Sequence, residues 1–227
     1  MKLLDYFTKF EKILWCVSVV LITLSFILFS KSGVLTLIAS LVGITALLFC
    51  AKGNPIGPGL MIIFSIIYGI ISFGCAYYGE MITYVGMSMP MAVVSLVTWA
   101  KNPHKGNKAE AEIARVSKKE VSLLMLASVA VTFAFYFILG YFGTANLIPS
   151  TFSVTTSFIA AYFSFRRSPY FALAYAVNDI VLLILWTLMS LKDLTYVSVV
   201  VCFAVFLVND TYSYLSWKKR EKIQKQA

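Results

Sequence analysis

The chain has 227 residues, 60% of them hydrophobic and 13% charged, against an apolar share of roughly 45–50% in soluble domains. A water-soluble core cannot enclose that much apolar surface, whereas a bilayer accepts helices of about 20 apolar residues with every backbone group bonded internally. The formal net charge of +9 does not mark a nucleic-acid surface: Lys and Arg fall in the breaks between apolar runs, where they act as topology determinants.

The apolar runs predict a single transmembrane domain over 1–227. Its eight crossings are Ile13 to Ser30, Gly33 to Ala51, Gly59 to Gly79, Met81 to Ala100, Val121 to Gly143, Thr151 to Phe165, Tyr170 to Ser190 and Leu194 to Trp217. The first follows MKLLDYFTKFEK, a charged flank like that of a signal peptide. Its apolar run is too long for an h-region, and FILFSKSG offers no small-residue cleavage site, so it is expected to stay.

The sixth run is short for a span, and charge decides whether it crosses. With eight crossings and an inside N-terminus, all of the 19 basic residues except Lys31 and Lys192 fall on the cytoplasmic side. With seven, the cluster Lys218, Lys219, Arg220, Lys222 and Lys225 would face outward, against the positive-inside rule. Both termini are therefore expected in the cytoplasm.

Segments two to four and six to eight read as copies of one unit. Each has a crossing ending in a basic turn (Ala51-Lys52, then Arg166-Arg167), a second crossing, an outer turn sharing Thr-Tyr-Val-type residues (Glu80 to Val85, then Asp193 to Ser198), and a third crossing ending in Trp99 or Trp217 beside Lys. Two three-helix units joined directly would be inverted, so one extra crossing is needed to make them parallel, and segment five supplies it. The expected divisions are an extra N-terminal helix (1–32), a first repeat (33–101), a basic cytoplasmic loop with linker helix (102–145), a second repeat (146–219) and a basic tail (220–227).

Polar side chains inside a bilayer are functional candidates by default. At about 1.5 Å per helical residue, Asn178, Asn209 and Thr155 each lie roughly 13–16 Å from the nearest basic boundary, near the midplane. Around them stand FSVTTS (Phe152 to Ser157, with Thr155, Thr156 and Ser157), Asn178-Asp179, and NDTYSY (Asn209 to Tyr214, with Tyr212). These form a candidate substrate site, with interhelical bonding as their structural alternative.

Asp179 and Asp210 have no Lys or Arg within the crossings to pair with. The first repeat offers Ser65, Tyr68 and the Pro90 kink near mid-membrane, with Pro90 and Gly69 as hinge positions. Trp15, Trp99 and Trp217 are expected in an interfacial belt, and Trp186 lies deep enough to stack on a ligand.

Cys16, Cys50, Cys75 and Cys202 are scattered without CxxC spacing, and the single His104 sits in a basic loop, so neither disulfide, metal nor cofactor is expected. The chain lacks GxxxxGK[ST], HExxH and GxSxG, which disfavours an ATP-driven pump and a typical hydrolase, and no enzymatic role is expected.

Three stretches, Tyr77 to Pro103, Phe158 to Trp186 and Val205 to Lys219, occur in an order that resembles the PnuC family of bacterial vitamin transporters. The resemblance implies an all-α integral membrane fold, a SWEET-like three-plus-one-plus-three arrangement of parallel repeats with an added N-terminal helix. It also implies a homotrimer in the bacterial cytoplasmic membrane and facilitated uptake of a nucleoside-like vitamin, nicotinamide riboside being the best known, trapped by a cytosolic kinase.

By motif position the resemblance assigns substrate contacts to Asn178, Asn209, Tyr212 and the hydroxyls Ser153, Thr155, Thr156 and Ser157. Phe152, Ala161 and Leu96 stand where the family commonly has an acidic residue, a glutamine and an aromatic. Thiamine, riboflavin and other nucleosides, deoxynucleosides included, therefore remain open as cargo. So does a role as the substrate-binding subunit of a larger energised transporter.

Overall fold

The computed structural model describes residues 6–29, 34–74, 81–144 and 146–226. Lys2, Lys31, Cys75 and Glu80 lie outside them. Eight helices follow in order: α1 Lys9–Phe29, α2 Val34–Ala51, α3 Ile56–Gly74, α4 Met89–Lys101, α5 Lys118–Tyr141, α6 Leu147–Phe165, α7 Tyr170–Ser190 and α8 Val197–Gln226. Each expected crossing thus contains a helix among the described residues, and six are long and apolar enough there to span a membrane on that measure alone.

The hydroxyl-rich α6 falls outside that group, yet its hydroxyls return to its own carbonyls. Thr151 bonds Leu147 O, Ser153 bonds Ser150 O, and Thr155 bonds Thr151 O, which hides their polarity within the helix. It is held inside the bundle against α4, α5 and α7.

Helix ends follow local chemistry. α5 begins at Lys118 rather than Val121 because Ser117 caps it, accepting from the Glu120 N–H. α8 continues past Trp217 to Gln226, supported by ion pairs from Lys218 and Lys225 to Glu221.

Pro90 stands in the first turn of α4, where its missing N–H and ring disrupt the bond back toward residue 86. The preceding Ile82–Ser88 is accordingly a π-helical segment, with Met89 N–H reaching Tyr84 O.

The two repeats share one turn at the basic end of the bundle. After α2, Gly53 N–H bonds Cys50 O and Asn54 N–H bonds Phe49 O; after α6, Arg167 N–H bonds Ser164 O and Ser168 N–H bonds Phe163 O. Gly53 and Arg167 both take positive φ, 70° and 54°, and Pro55 and Pro169 follow. This is the Schellman closure of a helix C-terminus, made twice.

Between repeats the pairing is also reciprocal: α4 packs on α6 and α8 packs on α2. α1 lies on α2 and α8, while α5 lies on α6.

One expectation needs correction. Trp99 and Trp217 do not form an interfacial belt: both are 0% exposed, and with Phe171 they fill the interior at the basic end. The basic loop after α4 contains a short hairpin. Pro103–His104 (β1) and Asn107–Ala111 (β2) pair antiparallel around Lys105-Gly106, both at positive φ as a two-residue hairpin requires.

That hairpin ties both repeats together, through Ala111 N–H to Gly53 O and, just beyond it, Ala114 N–H to Arg167 O. Beside it the Arg166 guanidinium bonds the Glu120 carboxylate, which holds the arginine further above its ordinary pKa.

Candidate functional site

A cavity of about 130 Å³ lies between the two repeats. Its polar wall includes Ser65 on α3, Ser153 and Ser157 on α6, Asn178 and Asp179 on α7, and Asp210 on α8, and its aromatic wall includes Phe64, Tyr84 and Trp186. Thr83, Thr144 and Ser150 carry it toward the end opposite the basic one.

In the other direction a smaller cavity of about 30 Å³ shares Leu47, Met61, Ala92 and Tyr175 with it. Beyond that the aromatic cluster closes the bundle, with ring centroids of Trp99 and Phe171 5.8 Å apart and those of Phe171 and Trp217 4.9 Å apart.

Asn178 is oriented by its neighbours. Thr156 and Ser157 both donate hydroxyl protons to its Oδ1, at 2.7 and 3.1 Å, which leaves the amide nitrogen as the group free to donate elsewhere. Trp186 is buried and packs at 5.5 Å on Tyr196. Asp179 and Asp210 are both buried, 3% and 2% exposed, and both line the cavity.

Of the residues singled out in the sequence, the structure brings Ser65, Ser153, Ser157, Asn178, Asp179, Trp186 and Asp210 to the cavity wall, and Thr156 supports them through Asn178. Tyr68 stands behind that wall, its ring 5.1 Å from Phe64 and 4.8 Å from Tyr84. Thr155 turns to α5 and shares a 2.6 Å hydrogen bond with Thr132.

Asn209 and Tyr212 face α1 instead. Asn209 Nδ2 donates to Ser18 Oγ at 3.1 Å, and the Tyr212 hydroxyl donates to Glu11 at 2.9 Å. Asn209 and Asp210 are consecutive on a helix, so they point about 100° apart, one to α1 and one to the cavity.

Glu11 was not legible as a partner of α8. The signal available was Thr8-x-x-Glu11, a capping box in which Thr8 N–H bonds the carboxylate and Glu11 N–H bonds the Thr8 hydroxyl. In the fold this carboxylate is 2% exposed and also meets Lys52 Nζ at 3.4 Å. Tyr84 and Tyr175 are further wall residues that depth alone did not single out.

Residues 33–219 match the family model described as nicotinamide mononucleotide transporter. The chain belongs to this family. The nicotinamide riboside transporter PnuC of Neisseria mucosa is 25% identical over 219 residues, which are 95% of this chain and 83% of that protein. The crystal structure of the vitamin B3 transporter PnuC matches with a TM-score of 0.80 at 22% identity, over 94% of this chain and 92% of that one. The eight-helix arrangement with two parallel three-helix repeats is therefore the fold of the family, and this family member is a multi-pass membrane protein.

Proposed function

We propose that the protein carries a nucleoside-like vitamin, nicotinamide riboside foremost, across the cytoplasmic membrane by facilitated diffusion and without enzymatic activity of its own. The observation that carries this reading is the cavity between the repeats, where an oriented amide, two carboxyls and an aromatic wall converge. Such a mix of apolar lining and a few placed polar groups is what a small organic ligand needs.

In this reading Asn178, Ser157, Asp179 and Trp186 contact the cargo, while Thr155, Thr156, Tyr68, Asn209 and Tyr212 hold the helices that present them. The basic end faces the cytoplasm, as the positive-inside rule requires, and both termini lie there. Rocking of the repeats about the Trp99, Phe171 and Trp217 cluster then alternates access.

The described lining residues include two carboxyls and no Lys, Arg or His. A phosphate monoester is repelled by such a wall, so the nucleoside is the cargo rather than the nucleotide. A cytosolic kinase that phosphorylates the product therefore makes uptake one-way. Assembly as a homotrimer completes the proposal, leaving much of the apolar faces of α1 and α5 to lipid or to sister subunits.

A thermal-shift screen of the purified chain tests the cargo, because a ligand that binds only the folded state raises its melting temperature. Nicotinamide riboside should raise it, and nicotinamide mononucleotide at the same concentration should not. A shift with thiamine or riboflavin alone would replace the cargo.

A further inference from the structure

Asp179 and Asp210 face each other from α7 and α8 inside the cavity, and neither has a cationic partner among the described residues. Each also keeps one buried carboxyl oxygen, Asp179 Oδ2 and Asp210 Oδ1, with no hydrogen-bond partner. The third deeply buried acid, Glu11, differs in having every need met by Thr8, Tyr212 and Lys52.

Two carboxyls that line one cavity without a cation beside either cannot both stay ionised, so at least one holds a proton. The pair presents at most one negative charge to the cavity, and it does so most readily when a cation lies against it. An uncompensated buried charge is strongly unfavourable and adds nothing to packing that an amide could not supply. Its natural complement is a single positive charge that arrives with the ligand.

The remaining wall gives the shape of that ligand. Phe64, Tyr84 and Trp186 present flat rings, which favour a flat partner and attract a cation through their faces. From this we propose that the Asp179–Asp210 pair is the counter-charge for a flat cationic heterocycle, and that it selects a positively charged nucleoside over a neutral one of the same shape.

The inference rests on the transport reading above and sharpens it. The ring of nicotinamide riboside is a pyridinium whose nitrogen is bonded to the sugar and carries a fixed positive charge. That nitrogen has neither a proton to give nor a lone pair to share, so charge is the only handle by which a protein can recognise it.

The test compares nicotinamide riboside with its 1,4-dihydro form, which keeps the sugar, the carboxamide and nearly the same outline but carries no charge. Binding of both to the purified full-length protein is measured by calorimetry. The charged form should bind at least about tenfold more tightly, as expected for a cation facing a desolvated anion and aromatic faces. In Asp179→Asn and Asp210→Asn the ratio of the two affinities should fall toward one.

Equal binding of the two forms by the unaltered protein would overturn the inference and leave the transport reading standing. Binding of neither form would remove both. A preference that survives in both variants would overturn the assignment to these carboxyls, and because the first comparison uses the unaltered protein, it holds even where a variant fails to fold.

Discussion

The rings of Trp99 and Trp217 meet with centroids 5.1 Å apart, and each indole reaches across to the other repeat. Trp99 Nε1 donates to Ser164 O at the end of α6, at 2.8 Å, and Trp217 Nε1 donates to Cys50 O at the end of α2, at 2.7 Å. The third helix of each repeat is thereby fastened to the first helix of its counterpart, at the point where those carbonyls lie next to the helix C-terminus. The buried tryptophans are the seam along which the two halves must move if the protein is to open at this end.

Replacing either indole by phenylalanine keeps a ring in the cluster but removes one of the two donors to a helix-end carbonyl, the other being the N–H of the turn itself. Trp99→Phe and Trp217→Phe should each cost about 0.5–1.5 kcal/mol in thermal or denaturant unfolding. Because the rings touch, the double variant should depart from the sum of the two, by about 0.5 kcal/mol or more. Strict additivity would argue against a coupled seam.

A pair of glycines on α3 separates packing from helix propensity. A Cβ at Gly57 would stand 2.7 Å from the Cys50 backbone nitrogen and 2.6 Å from its Sγ, whereas one at Gly59 would meet only Leu96 Cδ1, at 3.9 Å. Gly57→Ala must push α2 and α3 apart and should destabilise by about 1–3 kcal/mol. Gly59→Ala should be neutral or stabilising by up to about 1 kcal/mol, and melting curves of the two variants read the difference.

Asn178 is held by two hydroxyls, so removing the amide removes a fixed donor. Asn178→Ala should weaken binding of nicotinamide riboside by about tenfold or more while the chain still folds. Ser157→Ala should weaken it less, since Thr156 still orients the amide. Titration of each purified variant is the measurement, and the same affinity in all three proteins would take Asn178 out of the site.

The link between α1 and α8 is read by a double-mutant cycle. Tyr212→Phe and Glu11→Gln should each lower stability, and their combination should show a coupling of about 0.5–3 kcal/mol. Asn209→Ala distinguishes an α1 anchor from a cargo contact. As an anchor beside Ser18 it should lower the melting temperature while affinity changes less than about threefold, the usual margin for a residue outside the pocket.

Height along the helices was legible from the sequence, because basic residues mark one boundary and the rise per residue does the rest. That placed Asn178, Asn209 and Thr155 at similar depth. Azimuth was not legible: α8 is polar over several consecutive positions, and only packing against α1 decides that Asn209 turns outward while Asp210 turns in.

The repeat was legible in the basic turns Ala51-Lys52 and Arg166-Arg167; the residues that follow close in the same way, even though a glycine takes the positive φ in one and an arginine in the other. The hairpin after α4 was hidden because Asn107–Ala111 has little strand propensity, and it is held by contacts with Gly53 and with Arg167 in the turn after α6 that no local pattern reports.

The most direct measurement of the central claim is uptake of radiolabelled nicotinamide riboside into liposomes that contain only this protein, with no nucleotide triphosphate and no ion gradient. Label should equilibrate across the membrane well above the rate in protein-free liposomes, and it should accumulate beyond equilibrium only when a nicotinamide riboside kinase and ATP are enclosed. Entry no faster than in protein-free liposomes, or equal entry of nicotinamide mononucleotide, would contradict the account.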